Sequence, residues 1–296
     1  FLMANGRAVA VPPDSSLARL DWIVVADASG SAAGARLLLG APLHGDVEKL
    51  LANRIESRAV FAFDPATTGI TAETQRRLGA ITLARQPVER PDPARVRAAL
   101  LGAVAEQGLM LLPWGEAGLA LRARLAFAVA HGLDLPPSDD AALVSSLDAW
   151  LAPLLSRRLS DLSDSQLAEA LLNRLDWNQR QRLDAFAPPR FSTPAGSSHA
   201  IDYAADGGPA VDCRVQALFG LARHPMVADG RVPLTLRLTS PAGRPIQVTR
   251  DLPGFWAGSW AEVKKDLKGR YPKHPWPDNP LEAPPTLRAK RPGQPG

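Results

Sequence analysis

The sequence holds one cysteine, Cys213, among 296 residues. That excludes an intramolecular disulfide framework and a cysteine-rich zinc site, and it suits a reducing compartment. No run of 18 apolar residues occurs, so no transmembrane helix is expected. No signal-peptide pattern follows Phe1, and the non-Met start predicts a piece of a longer chain. The G-x-x-x-x-G-K-[ST] phosphate loop, the H-E-x-x-H zinc motif and the G-x-S-x-G elbow are all missing. Gly30–Gly34 lacks the full dinucleotide fingerprint and reads as a tight turn. The five histidines, His44, His131, His199, His224 and His274, are scattered rather than set at metal-ligand spacing. Ser197, His199 and Asp202 have triad residue types but lie within six residues on a strand edge, which reads as a polar turn. No catalytic or metal site is expected from this chain.

What is present is ordinary globular material, 46% hydrophobic and 22% charged, so wholesale disorder is excluded. The length suggests two domains at about 150 residues each. The net charge of +4 hides an asymmetry. Residues 244–296 carry ten Lys and Arg against five Asp and Glu, while the rest of the chain has 24 against 25. Five of the six lysines fall in that last stretch. A neutral body with a basic end points to a polyanionic partner without identifying it.

The patterning predicts an α+β chain in three parts with a tail. Residues 1–90 read as short strands around one short helix. The strands are 6–11, 20–26, 35–43, 59–63 and a fifth, 70–88, long or bent at Gly79; the helix lies within 44–54. That is the element order of an OB-like β-barrel. Asp92-Pro93 starts a helical block, 91–187, with helices marked by Val96 to Val104, Leu119 to Val129, Leu143 to Leu151, Leu167 to Leu172 and 176–187. Pro188-Pro189 ends it. Residues 188–280 read as an α+β unit. It holds a β-hairpin over 232–250, a segment 211–219 open between strand and helix, and a terminal helix over 252–270. The Pro- and Gly-rich tail, 281–296, is expected to be disordered.

The chemistry concentrates in 252–280. On a helical wheel Trp256, Trp260, Val263 and Leu267 fall within a stripe of about 60°, with Lys264, Lys265 and Lys268 on one flank and Glu262 and Asp266 on the other. Gly269 can close the helix. Arg270, Tyr271, Lys273, His274 and Trp276 then interleave cations and aromatics between prolines. Two readings stay open. The cations contact phosphates while Tyr271 and Trp276 stack on bases, or the rings pack inward as anchors and the lysines form a solvated face.

The segment K-G-R-Y-P-K-H-P-W-P-D at 268–278, preceded by T-R-D-L-P-G-F-W at 249–256, resembles the C-terminal signature of bacterial HrpB-type ATP-dependent RNA helicases, DEAH-box enzymes of superfamily 2. Asn5-Gly6-Arg7, L-D-W-N-Q-R-Q-R-L at 175–183, Pro194–Ser197 and G-R-V-P-L-T-L-R-L at 230–238 fit the same pattern in order. The resemblance implies an accessory region that binds single-stranded RNA, with DNA as an open competitor, and supports motor domains lying upstream in cis. It implies ATP and Mg for that motor, no cofactor in this segment, a cytoplasmic setting and no membrane. Arg7 and Arg36 on the expected barrel join Lys264, Lys265, Lys268, Arg270, Tyr271, Lys273, His274 and Trp276 as candidate nucleic-acid contacts. The alternative is a docking module of the same helicase that touches no nucleic acid.

Overall fold

The computed structural model describes residues 1–30 and 34–289. Two units follow from the distribution of contacts. Unit 1 comprises Phe1–Glu106 with Leu155–Asp161, and unit 2 comprises Gln107–Leu154 with the chain from Leu162 onward.

Unit 1 is built on two three-stranded sheets. Strands β1 (Val9–Ala10), β2 (Ile23–Ser29) and β3 (Ala35–Pro42) form one in the order β1-β3-β2, with β1 parallel and β2 antiparallel to β3. Helix α1 (Val47–Leu50) follows, its first turn capped by Asp46, whose carboxylate accepts the Lys49 N–H. Strands β4 (Ile55–Asp64), β5 (Gly69–Leu78) and β6 (Ile81–Pro87) form an antiparallel meander. The long fifth strand expected over 70–88 is therefore two strands. Gly79 sits at φ +57° in a two-residue turn, and the Ala80 N–H donates to the Ala4 carbonyl at 2.8 Å. A Cβ on Gly79 would fall 2.1 Å from that carbonyl oxygen, so close backbone approach and the left-handed turn both require glycine here. The expected barrel is not closed among the described residues. No strand of the first sheet pairs with a strand of the second among the described residues. Helix α2 (Pro93–Gln107) begins where Asp92 accepts the Ala94 N–H, and it buries Val96, Leu100, Ala103 and Val104. The returning segment Leu155–Asp161 docks on the β4–β5 turn, with the Leu159 N–H on the Thr68 carbonyl at 2.9 Å.

Unit 2 opens with helices α3 (Glu116–Ala130), α4 (Asp140–Ser145), α5 (Leu147–Trp150), α6 (Asp164–Leu172) and α7 (Trp177–Phe186). Leu125, Leu143, Leu151, Leu167, Leu171 and Leu183 are at most 1% exposed and form its core. The single helix expected from Leu143 to Leu151 breaks at Ser146, whose hydroxyl bonds back to the Ala142 carbonyl at 2.7 Å. Ser163 and Asp176 each close a reciprocal capping box, with Gln166 and Gln179, which fixes where α6 and α7 start.

The strands of unit 2 are β7 (Arg190–Ser192) paired with β8 (Ser198–Ala200), β10 (Met226–Val227) paired with β11 (Val232–Pro233), and a sheet in the order β13-β12-β9. In it β12 (Thr235–Thr239) runs antiparallel to β13 (Pro245–Thr249) across the expected hairpin and parallel to β9 (Ala210–Arg214). The open segment 211–219 is both things in turn, strand through Arg214 and then a tight 3-10 turn over Val215–Leu218. The terminal helix divides into α8 (Leu252–Ala257) and α9 (Trp260–Arg270), because Gly258 leaves the helical conformation at ψ −97°. Of the tail expected to be disordered, residues 281–289 follow a hydrogen-bonded path: Gly220 donates to Pro280, Thr286 to Gln216 and Arg214 to Leu287. The remainder of that tail, Lys290 included, lies outside the described residues.

Candidate nucleic-acid interface

The signature segments first show why their residues stand where they do. Thr249 Oγ1 accepts the Asp251 N–H, and Asp251 Oδ1 in turn accepts the Gly254 N–H at 2.9 Å. A Cβ on Gly254 would fall 2.1 Å from the Asp251 carboxylate, so T-R-D-L-P-G is a helix-start device. Its remaining donor, the Leu252 N–H, bonds His224 Nδ1 at 3.0 Å, while His224 Nε2 lies 2.7 Å from the Leu234 carbonyl. Nδ1 must be unprotonated to accept, so His224 holds α8 only as the neutral ring.

Burial lowers the His224 pKa below its ordinary value; the Leu234 bond and Asp251 act the other way and Arg250 with burial. The unfolded chain therefore takes up this proton near pH 6.5 while the folded chain still declines it. Stability is full above that pH and falls as pH drops below it. The urea midpoint should decline between pH 7.5 and about 5.5, and His224→Gln should flatten that slope; an unchanged slope would refute the assignment.

Beyond α8 the aromatic residues close on one another. Trp260 is 2% exposed and touches Phe219, Phe255 and Trp256 edge-on. Trp276 stacks on it at 6.0 Å and 29°. The Trp276 indole N–H donates to the Tyr271 carbonyl at 2.9 Å, and the Trp260 indole N–H to the Pro277 carbonyl at 3.1 Å. Lys264 pairs with Asp278, which holds the Asp278 carboxyl below its usual range, with Lys268 adding to the effect. The chain after α9 is thus folded back as a latch.

Against the residues named from sequence, this separates two groups. Trp276 is 7% exposed and has no free face for a base; it is a packing anchor, because its partner Trp260 lies on the narrow apolar stripe it covers. Lys264 is engaged by Asp278. His274 is pulled below the ordinary histidine value by burial and then by Arg214, so it is neutral near neutral pH and offers phosphate no charge. Tyr271 is half-buried, with its hydroxyl 3.4 Å from Ser240 Oγ. Lys265, Lys268, Arg270 and Lys273 are exposed and have no ion pair among the described residues. In unit 1, Arg7 and Arg36 are exposed near the β2–β3 connection. Arg7 donates to the Gly30 carbonyl at 3.3 Å, and Arg36 pairs with Ser29.

Sequence patterning did not single out Arg58, Arg77, Arg85 and Arg95. Period-two alternation in E-S-R-A-V and E-T-Q-R-R was the available signal, but only strand register gathers them. The triad residue types do not assemble: His199 Nε2 meets Ser197 Oγ at 2.9 Å, but Asp202 turns to Arg237 at 3.4 Å. No group of three or more metal-ligating side chains occurs among the described residues, and no described helix is long and apolar enough to cross a membrane.

Residues 150–280, which take in the small mixed sheet, the basic helix and the tryptophan latch, match the family described as "ATP-dependent helicase C-terminal" (HrpB_C). The chain corresponds to the C-terminal region of the HrpB-type proteins it matches. It is 37% identical over 300 residues to the ATP-dependent RNA helicase HrpB of Escherichia coli K12, a match covering 98% of this chain and 37% of that protein. A crystal structure of the E. coli DExH-box NTPase HrpB superposes with a TM-score of 0.66 at 37% identity, covering 97% of this chain and 36% of the other. A crystal structure of the E. coli DEAH/RHA helicase HrpB gives 0.59 at 33%, covering 92% and 35%. The chain thus spans little more than a third of the length of these relatives.

Proposed function

We propose that this chain is the accessory region of an HrpB-like helicase and binds single-stranded nucleic acid, RNA in the first place, in support of motor domains in cis. The observation that carries the reading is the set of four exposed cations without ion pairs among the described residues, Lys265, Lys268, Arg270 and Lys273, on and just beyond a helix anchored by the latch. Arg7 and Arg36 of unit 1 are the accompanying contacts. The strand–helix–strand order of unit 1 supports an OB-like reading of residues 1–90, followed by a helical part to 187 and an α+β part to 280. ATP and Mg belong, on this reading, to the motor, and the setting is the cytoplasm.

A salt series with a labelled single-stranded RNA tests it. Lys265→Ala, Lys268→Ala and Lys273→Ala together should flatten the slope of log affinity against log salt by about 2, at about 0.7 per contact. Absence of binding at low salt, or an unchanged slope in the triple variant, overturns it. The burial of Trp276 favours a second reading, a docking module without nucleic-acid contact. That reading gains if the wild-type chain ignores RNA.

A further inference from the structure

We propose that one face of the β4–β5–β6 meander is a phosphate-binding surface, formed by Arg58, Arg77 and Arg85 with Arg95 at its margin, that takes the backbone of single-stranded nucleic acid. The inference rests on the nucleic-acid reading above and adds a second, separate site to it.

Strand register places the arginines. Arg58 on β4 lies directly across from Gln75 on β5, and Gln75 lies across from Arg85 on β6. Residues directly opposite share a face, so Arg58, Gln75 and Arg85 form one row across the sheet, and the two arginines are about 10 Å apart at the backbone. Two positions along β5, Arg77 stands on the same face opposite Glu56 and diagonal to Arg58. The hydrogen bond between Gln75 Nε2 and Glu73 Oε2, at 3.3 Å, shows these alternate residues projecting together. Arg76, the residue between them, projects to the other face and pairs with Glu48 at 2.8 Å.

Glu56 and Glu73 share this face with Arg58, Arg77 and Arg85, and the arginines outnumber them. Arg58, Arg77, Arg85 and Arg95 make no ion pair among the described residues, although Glu56 stands opposite Arg77. Arg77 spends one nitrogen on the Ala80 carbonyl, while its shielded Nε has no partner. Arg95 comes from the first turn of α2. It donates to the Ala59 carbonyl at 3.3 Å and lies over the ring of Phe61, which projects to the face opposite Arg58, at 4.4 Å; Arg95 is thus held at the β4 edge and meets the row only through the cleft there. Two adjoining clefts open on the row. One, of about 330 Å³, is lined by Asn5, Glu56, Arg58 and Arg77 among others; the second, of about 480 Å³, by Arg58, Gln75, Arg77 and Arg95. Arg58 and Arg77 line both.

Guanidinium groups present forked donors that match phosphate oxygens two at a time. A row of them across a twisted sheet, with open clefts on either side, suits a chain of phosphates rather than a single small anion.

The experiment uses the chain as it stands and a fluorescein-labelled single-stranded RNA, with anisotropy read over a salt series. Arg58→Ala with Arg85→Ala, both exposed positions, should weaken binding about tenfold at low salt and flatten the salt slope by about 1.4. Arg58→Lys with Arg85→Lys should restore most of the slope, because charge is kept. If the Lys265, Lys268 and Lys273 variant loses binding and the arginine variant does not, the sheet-face inference falls while the proposed function stands. If only the arginine variant loses binding, the inference stands and the terminal contacts fall. Should the wild-type chain bind polyglutamate but not RNA, the nucleic-acid assignment of this face is overturned.

Discussion

Trp260→Ala should cost unit 2 about 4 kcal/mol, by far the largest effect of any single truncation near the latch. The residue is 2% exposed and sits at the centre of five rings, touching Phe219, Phe255, Trp256 and Trp276. Removing it deletes edge-on and stacked contacts with all four, and it leaves the Pro277 carbonyl without the indole donor at 3.1 Å. The void cannot collapse easily, because it is walled by Phe255 and Trp256 of α8, by Phe219 and by Trp276 of the latch. The midpoint of thermal unfolding should fall by on the order of 10 °C in a unit of this size. Trp276 then loses its stacking partner, so segment 271–278 should be released and trypsin should cut after Arg270 and Lys273 in the folded protein. Trp260→Phe should retain the packing in large part and lose chiefly the Pro277 bond. A thermal midpoint within about 2 °C of wild type for the alanine variant would refute the central role given to this ring.

The same latch shows how far the sequence can be read. The narrow stripe of Trp256, Trp260, Val263 and Leu267 was legible, because helical periodicity is a local property. The break at Gly258 was not, since the stripe continues in phase across it and glycine is tolerated within a helix. The basic end and its family signature were legible from charge counts and spacing. The fate of Trp276 was not, because stacking on bases and packing on Trp260 call for the same residue type. In unit 1, the strands were largely found, but β5 and β6 ran together: Gly79-Ala80 is not one of the dipeptides that announce a two-residue turn. The closed barrel was an inference from element order, and order does not determine whether edges meet. The arginine row depends on which residue of β4 faces which residue of β5 and β6, a relation that no stretch of sequence carries by itself.

Long-range capping is likewise invisible to local patterning, and it underlies the second large effect. Asp164 stands at the start of α6, where it reads as an ordinary first-turn acid. In the fold its carboxylate instead closes the start of α3, accepting N–H bonds from Gly115 at 2.9 Å, Ala117 at 2.9 Å and Gly118 at 2.8 Å. Gly115 offers no side chain of its own for this purpose, so α3 begins on a cap 46 to 49 residues away in sequence. The fit is tight: a Cβ on Gly118 would lie 2.5 Å from Asp164 Oδ1 and 2.7 Å from the Trp114 ring. Asp164→Ala strips three donors at a helix N-terminus at once and removes a negative charge from its positive end, which should cost about 3 kcal/mol. Because α3 packs directly on α6, the loss should appear as one cooperative unfolding shifted down, not as fraying of α3 alone. Asp164→Asn keeps one acceptor oxygen and should recover about half of the loss. Gly118→Ala should approach the effect of Asp164→Ala by pushing the carboxylate off the same three donors. Urea denaturation of the four proteins checks the order wild type, Asp164→Asn, Gly118→Ala, Asp164→Ala. Equal midpoints for Asp164→Ala and wild type would mean that α3 finds its cap elsewhere.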